Sequence, residues 1–277
     1  MKEFPSKMIT QTLMTGLLLY LALISCQSTP TSTPTSTPTS TASSEISKPT
    51  HQKLFIASSL AKPIEQFLKS AQDSTLPSYQ IVSAGSQELS LMIDQGDTPA
   101  LFISAHEKDF KKLVDQKRFK HAEIWLCNRL VLVGAENLLQ PEALSKIQSI
   151  GIASPAVPLG IYTKQMLEKM PIAWQNIFNS KVKLQTLNAS QLSQYLQLKE
   201  IDVAVLYQSD LRQFPNLPYT TLSESEQVYT AYYLVYQDPN HPIVSLLKSN
   251  QKAFEAKGFY LPPLSTNLEK PTTCSSR

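Results

Sequence analysis

Two apolar patterns alternate along the chain from about residue 52 onward. Short, nearly continuous apolar runs have the length of buried strands: "KLFIA" at 53–57, "YQIVSA" at 79–84, "ALFISA" at 100–105, "SIGIA" at 149–153, "VKLQTL" at 182–187 and "DVAVLY" at 202–207. Between them, apolar residues three and four apart predict helices over 60–71, 87–94, 107–116, 160–170, 190–199 and 242–257. Strands alternating with helices predict an α/β fold in which helices cover both faces of each sheet. Two further apolar runs, Ile124–Val133 and Val228–Tyr236, are longer and have strand–helix units on both sides. Both are expected to cross between two lobes as a hinge, which divides the folded part into residues 52–130 plus 230–264 and residues 131–229.

The first 51 residues follow neither pattern. Lys2 and Lys7 precede an apolar run from Leu13 to Ile24, shorter than the ~20 residues of a spanning helix and suited to the h-region of a secretory signal. The run ends in "LISC", which resembles a bacterial lipobox. Residues 1–25 are therefore expected to be a lipoprotein signal peptide and Cys26 the acylated first residue of the mature chain; an uncleaved anchor is the alternative. Residues 26–51 contain "STPTSTPTSTPTSTASSEISKPT", with Pro30, Pro34 and Pro38 in a four-residue repeat. A tract with so little to bury is a solvated tether with extended bias. Residues 265–277 are similarly polar and are expected to form a flexible tail. What remains, about 210 residues, suffices for one sizeable core or two small lobes.

Charge narrows the partners. The formal net charge is +3, with no basic stripe interleaved with aromatic residues, so nucleic acid is not an expected partner. His51, His106, His121 and His241 are scattered at expected surface or loop positions, without metal-ligand spacing. Beyond Cys26 only Cys127 and Cys274 remain. Cys127 sits in "IWLCNRLVLV" and reads as an inert buried thiol, with a disulfide to Cys274 left open.

The candidate chemistry lies where strands end. "IASSL" places Ser59 at a helix start, "VSAGSQEL" places Ser86 at another, "IASPAVPLGIYTKQML" does so for Leu159 and Gly160, and "LNASQL" for Ala189. In an open α/β sheet ligands bind at the carboxyl ends of strands, and helix N-termini there present free N–H groups and partial positive charge. Two such starts in each lobe, facing across a cleft, would trap an anion without any arginine. Taken singly, Ser59 and Ser86 would be helix N-caps and Tyr207 a strand-end core residue.

The ordered set "ASSL", "GSQELSLMIDQG" leading into "LFISA", "NRLVLV", "VPLGIYTKQML" and "VAVLYQSD" resembles the periplasmic molybdate-binding proteins of ABC transporters, from Lys53 to Phe259. The resemblance implies a two-lobed periplasmic-binding-protein-like fold of type II. It also implies an oxoanion held by the hydroxyls of Ser59, Ser86 and Tyr207 and by the backbone N–H groups of Leu159 and Ala189. Molybdenum would then be contacted only through its oxygens. Molybdate or tungstate would be the ligand, no cofactor would be needed, and a monomer lipid-anchored at Cys26, facing the periplasm or cell exterior, would hand the anion to an ABC permease. The family has acidic residues where this chain has Ala100 and His106. Another small oxoanion is the alternative ligand.

An enzyme reading rests on Ser59-Leu60-Ala61-Lys62, an S-x-x-K match to penicillin-binding enzymes. Those enzymes also need S-D-N and K-T-G; here Ser209-Asp210 is followed by Leu211, and K-T-G is missing. No G-x-S-x-G elbow supports a Ser-His-Asp hydrolase either. The expectation is a binding protein and not an enzyme, with an anchored scaffold that binds no ligand as a third class.

Overall fold

The computed structural model describes residues 52–71, 77–263 and Cys274. The signal segment, Cys26, the tether and the rest of the tail lie outside the described residues. β1 (Gln52–Ala57), α1 (Ser58–Ala71), β2 (Tyr79–Ala84), α2 (Ser86–Asp94), β3 (Leu101–Ser104) and α3 (Glu107–Asp115) alternate as expected. β4 (His121–Val133) leads to α4 (Pro141–Ser145), β5 (Ile150–Ala153), α5 (Pro158–Lys169), α6 (Ile172–Lys181), β6 (Val182–Thr186), α7 (Ala189–Gln197) and β7 (Val203–Tyr207). A 3₁₀ turn at Gln208–Gln213 and β8 (Tyr219–Thr221) precede β9 (Tyr229–Tyr236), α8 (Pro242–Ser249) and a 3₁₀ segment at Gln251–Lys257.

The strands lie in the order β2-β1-β3-β9-β4-β7-β5-β6, with β8 also paired to β4. β1 runs parallel to β2 and β3, and β5 parallel to β6 and β7. β4 pairs with β9 from His121 to Arg129, then with β7 from Leu130 onward, so it passes from one sheet to the other at that step. Its buried run from Trp125 onward reflects the two cores it serves. β9 differs from expectation: it pairs only within the first sheet, with β3 and β4. Val228 belongs to the second core and Tyr229 already pairs with Arg129, so the return crossing is this single peptide step.

The period-two alternation of β1 shows why its run is apolar throughout. Leu54 and Ile56 face Leu60, Ile64 and Phe67 of α1 and Ile243 and Leu247 of α8. Phe55 faces the other way, toward Leu89 and Ile93 of α2 and Phe110 and Leu113 of α3. Both faces of the sheet are covered, as continuous apolar strands require. A third core, built on β4, β5 and β7, includes Trp174 and Phe178 of α6.

Three further features depart from the sequence reading. The helix expected over 242–257 breaks at Asn250, whose N–H and side-chain amide both bond Leu246 O, before the 3₁₀ segment. The short α4, α6 and β8 were not expected; α6 buries only Trp174 and Phe178, too little for a clear helical stripe. Cys127 is not a free thiol but joins Cys274 in a disulfide, Cα–Cα 5.6 Å. Its apolar neighbours in sequence hid this, because its partner arrives from the tail, beside the antiparallel bridge between Cys127 and Tyr260.

Candidate anion-binding site

The carboxyl ends of β1, β2, β5 and β6 are followed at once or after short turns by α1, α2, α5 and α7. All four helix starts reach one cavity, through Ser58 and Ser59, Gly85 and Ser86, Pro158 and Leu159, and Asn188 and Ala189. Ala105, just after β3, and Tyr207, at the end of β7, complete it. Thus Ser59, Ser86, Leu159, Ala189 and Tyr207, five positions spread over about 150 residues, line the same space.

That space offers about 20 Å³ to the centre of a water-sized atom. This exceeds what one water needs and leaves room for a single small ligand. Among the described residues lining the cavity there is no Lys, Arg, His, Asp or Glu. An anion here would meet only neutral dipoles.

Each donor has a local cause. Pro158 is the first residue of α5 and has no N–H, so Leu159 supplies the first free backbone donor of that helix. Ala189 is the first residue of α7; Asn188 caps the helix by accepting from Gln191 N–H at 2.9 Å, which leaves the Ala189 N–H outside the helical ladder. Gly160 lets the α5 terminus approach its own turn, because a Cβ there would stand 1.9 Å from Ser154 O.

Neither serine spends its hydroxyl on a cap. α2 starts after Gly85 with no side-chain cap, and the Ser86 Oγ instead accepts the Ala105 N–H at 2.9 Å. Ser59 Oγ lies 2.8 Å from the Tyr232 hydroxyl, a buried contact. The Asn128 Oδ1 accepts from Arg129 N–H at 3.0 Å and from Ser209 N–H at 3.4 Å, and its Nδ2 donates to Ser209 Oγ at 2.8 Å. Of the S-x-x-K pair, Ser59 hydrogen-bonds Tyr232 and lines this cavity, whereas Lys62 does not line it and instead meets Ser59, Ser209 and Asp210 around a neighbouring one.

The lobes meet over the cavity. Tyr162 of α5 donates to Ala105 O at 3.0 Å, and Gln87 Nε2 of α2 reaches Leu187 O at 3.4 Å. His106 caps α3 through Nδ1, and its ring packs 5.5 Å from that of Tyr162. Ala100, at the other departure from the family pattern, packs against the first lobe's core and donates its N–H to Lys53 O.

Burial sets the protonation states. It holds the Tyr207 phenol well above its ordinary value, helped by neighbouring Tyr232, Tyr162 and Asp210, and does the same for Tyr232 and Tyr162. These phenols stay protonated and can donate. Asp210 accepts the Tyr207 backbone N–H at 3.2 Å, and burial pushes its carboxyl up to about 7. Burial likewise raises Asp109 to about 6.

Sequence reasoning missed Tyr232, Asn128, Ala105 and Tyr162. Asn128 carried a usable signal: a polar residue inside a long apolar strand must find partners when buried. Tyr232 carried none, being one of several tyrosines in "VYTAYYLVY".

Two α/β lobes closed over a small uncharged cavity at their strand ends define a solute-binding protein. The chain belongs to the bacterial extracellular solute-binding proteins, whose family model matches residues 53–259. This is a family of binding proteins, not of enzymes. The chain is similar to a Bacillus subtilis (strain 168) protein provisionally named ABC transporter substrate-binding lipoprotein YvgL, 27% identical over 176 residues. That match covers 59% of this chain and 66% of the relative, just under two thirds of its length. Among solved structures, an Azotobacter vinelandii periplasmic molybdate-binding protein is similar with a TM-score of 0.64 at 18% identity, covering 76% of this chain and 100% of that one. The sulfate-binding protein SubI from Mycobacterium tuberculosis has a TM-score of 0.57 at 16% identity, covering 78% and 88%. At these identities the two structures speak for the fold alone.

Proposed function

We propose that this protein captures molybdate or tungstate outside the cytoplasm and delivers it to an ABC permease, held to the membrane through acylated Cys26. The observation that carries this reading is the convergence of Ser59, Ser86, Leu159, Ala189 and Tyr207 on one small uncharged cavity. Hydroxyl and backbone donors to a charged group are each worth about 1.5–3 kcal/mol, so a handful suffices for tight binding without a counter-charge. Donors from both lobes act together only when the lobes close, which lets a permease tell loaded from empty protein. Sulfate has the same charge on a smaller tetrahedron and cannot reach all the donors at once.

The test is a thermal-shift panel of molybdate, tungstate, sulfate, phosphate and chromate. A ligand at a hundred times its dissociation constant adds ~2.7 kcal/mol, which raises the melting temperature of a domain this size by about 2–4 °C per kcal/mol. Molybdate and tungstate are expected to do so and sulfate is not. A response to sulfate alone moves the reading to another oxoanion, and no response to any member refutes it.

A further inference from the structure

We propose that a second cavity, beside the first and walled by both lobes, binds a small organic polyanion of the di- or tricarboxylate class. The proposal stands independently of the oxoanion reading. α1 supplies Ser59, Lys62 and Gln66 to this cavity, the 3₁₀ turn after β7 supplies Asp210 and Arg212, and Lys257 at the end of the last 3₁₀ segment completes the rim. Ser59 lines both cavities, yet they differ in size and charge. The second offers about 150 Å³ to the centres of water-sized atoms. At ~10–15 Å³ for each water this is room for roughly ten heavy atoms, more than one tetrahedral anion fills.

The floor is polar and the rim is cationic. Ser59, Ser209 and Asp210 are buried. Lys62, Arg212 and Lys257 bring three positive charges, two from the first lobe and one from the second. Among the described residues none of the three has an acidic partner: the Lys62 and Arg212 side chains make no hydrogen bond or ion pair, and Lys257 Nζ donates only to Gln66 Oε1, at 3.3 Å. The one carboxyl in the lining cannot serve them. Asp210 has both oxygens engaged, accepting the Tyr207 N–H at 3.2 Å and the Gln213 side-chain amide at 3.4 Å, and burial pushes it up to about 7, so below neutrality it offsets little of the rim's charge. Three like charges around one space repel, and an anion placed among them relieves that repulsion. A short chain with a carboxylate at each end can meet α1 and the 3₁₀ turn together, where a single charge cannot. Arg212 suits one end, since its guanidinium presents paired donors to a carboxylate. A ligand so placed touches both lobes.

The test is calorimetric titration with citrate at pH 6 and constant ionic strength, with acetate as the singly charged control. The native protein is expected to bind citrate at one site per chain and acetate far more weakly. Lys62 and Arg212 are exposed at the rim, so Lys62→Ala and Arg212→Ala should keep the fold, which melting curves check. Each should weaken citrate binding about twofold to fivefold, and the double variant roughly tenfold. Lys183→Ala removes an equal charge from an exposed position on β6, away from the cavity, and should leave citrate affinity unchanged. An equal loss in Lys183→Ala, an unchanged affinity in the double variant, or no citrate binding by the native protein each overturns the proposal.

Discussion

Removing the Ser86 hydroxyl separates a ligand group from a structural one. In Ser86→Ala the helix keeps its start, since α2 follows Gly85 without a side-chain cap. Two interactions disappear. The Ala105 N–H, bonded to Ser86 Oγ at 2.9 Å in a buried setting, loses its acceptor, which costs the folded protein about 1–3 kcal/mol with or without ligand. An oxyanion in the cavity loses a donor, about 1.5–3 kcal/mol of binding, which is roughly a ten- to hundredfold rise in dissociation constant. Melting curves without ligand read the first loss and calorimetric titration with molybdate reads the second. A lowered melting temperature with unchanged affinity would refute the assignment, because the hydroxyl would then serve only Ala105.

Three further outcomes are expected. Ala189→Pro removes the backbone donor at the first residue of α7, where proline is well tolerated and the preceding Asn188 is already extended; melting should change little while molybdate affinity falls about tenfold or more. Burial raises Asp210 to about 7 and Asp109 to about 6, above the unfolded value of roughly 3.9; the folded protein therefore holds protons that the unfolded chain has released, and stability should fall as pH rises from about 4 to above 7. Melting curves across that range should show a shallower decline in Asp210→Asn, and an identical decline would remove Asp210 from the explanation. Reduction of the Cys127–Cys274 disulfide, which closes a separation of 147 residues, should cost about 2–4 kcal/mol, read as a lower denaturant midpoint in reductant that Cys274→Ser reproduces without it.

Much of the architecture could be read because buried parallel strands leave an unmistakable mark. β1 must fill two cores, so "LFIA" is apolar at every position, and the switch at Ser58 to helical spacing follows from the chain leaving the sheet. Ser59, Ser86 and Tyr207 could be nominated because strand ends are where side chains of this kind gather, and the resemblance gave them an order. Leu159 and Ala189 could not be nominated by side chain, since what they offer is a backbone N–H. The links behind the cavity were hidden for a different reason. The contact between Ser59 and Tyr232 spans 173 positions and depends on hydroxyl rotors and on the register of β9 against β4. The disulfide was hidden likewise, since nothing in the polar tail shows where Cys274 returns.

The central claim is that one oxoanion is held at the meeting point of four helix N-termini, by donors from both lobes. An anomalous diffraction map at the molybdenum edge, from crystals of the protein grown with molybdate, tests it most directly. The account predicts a single peak in the cavity between Ser59, Ser86, Leu159, Ala189 and Tyr207, with oxygens in hydrogen-bond reach of all five donors and no lysine or arginine in contact. A peak on a basic surface patch, or none at saturating molybdate, would contradict it.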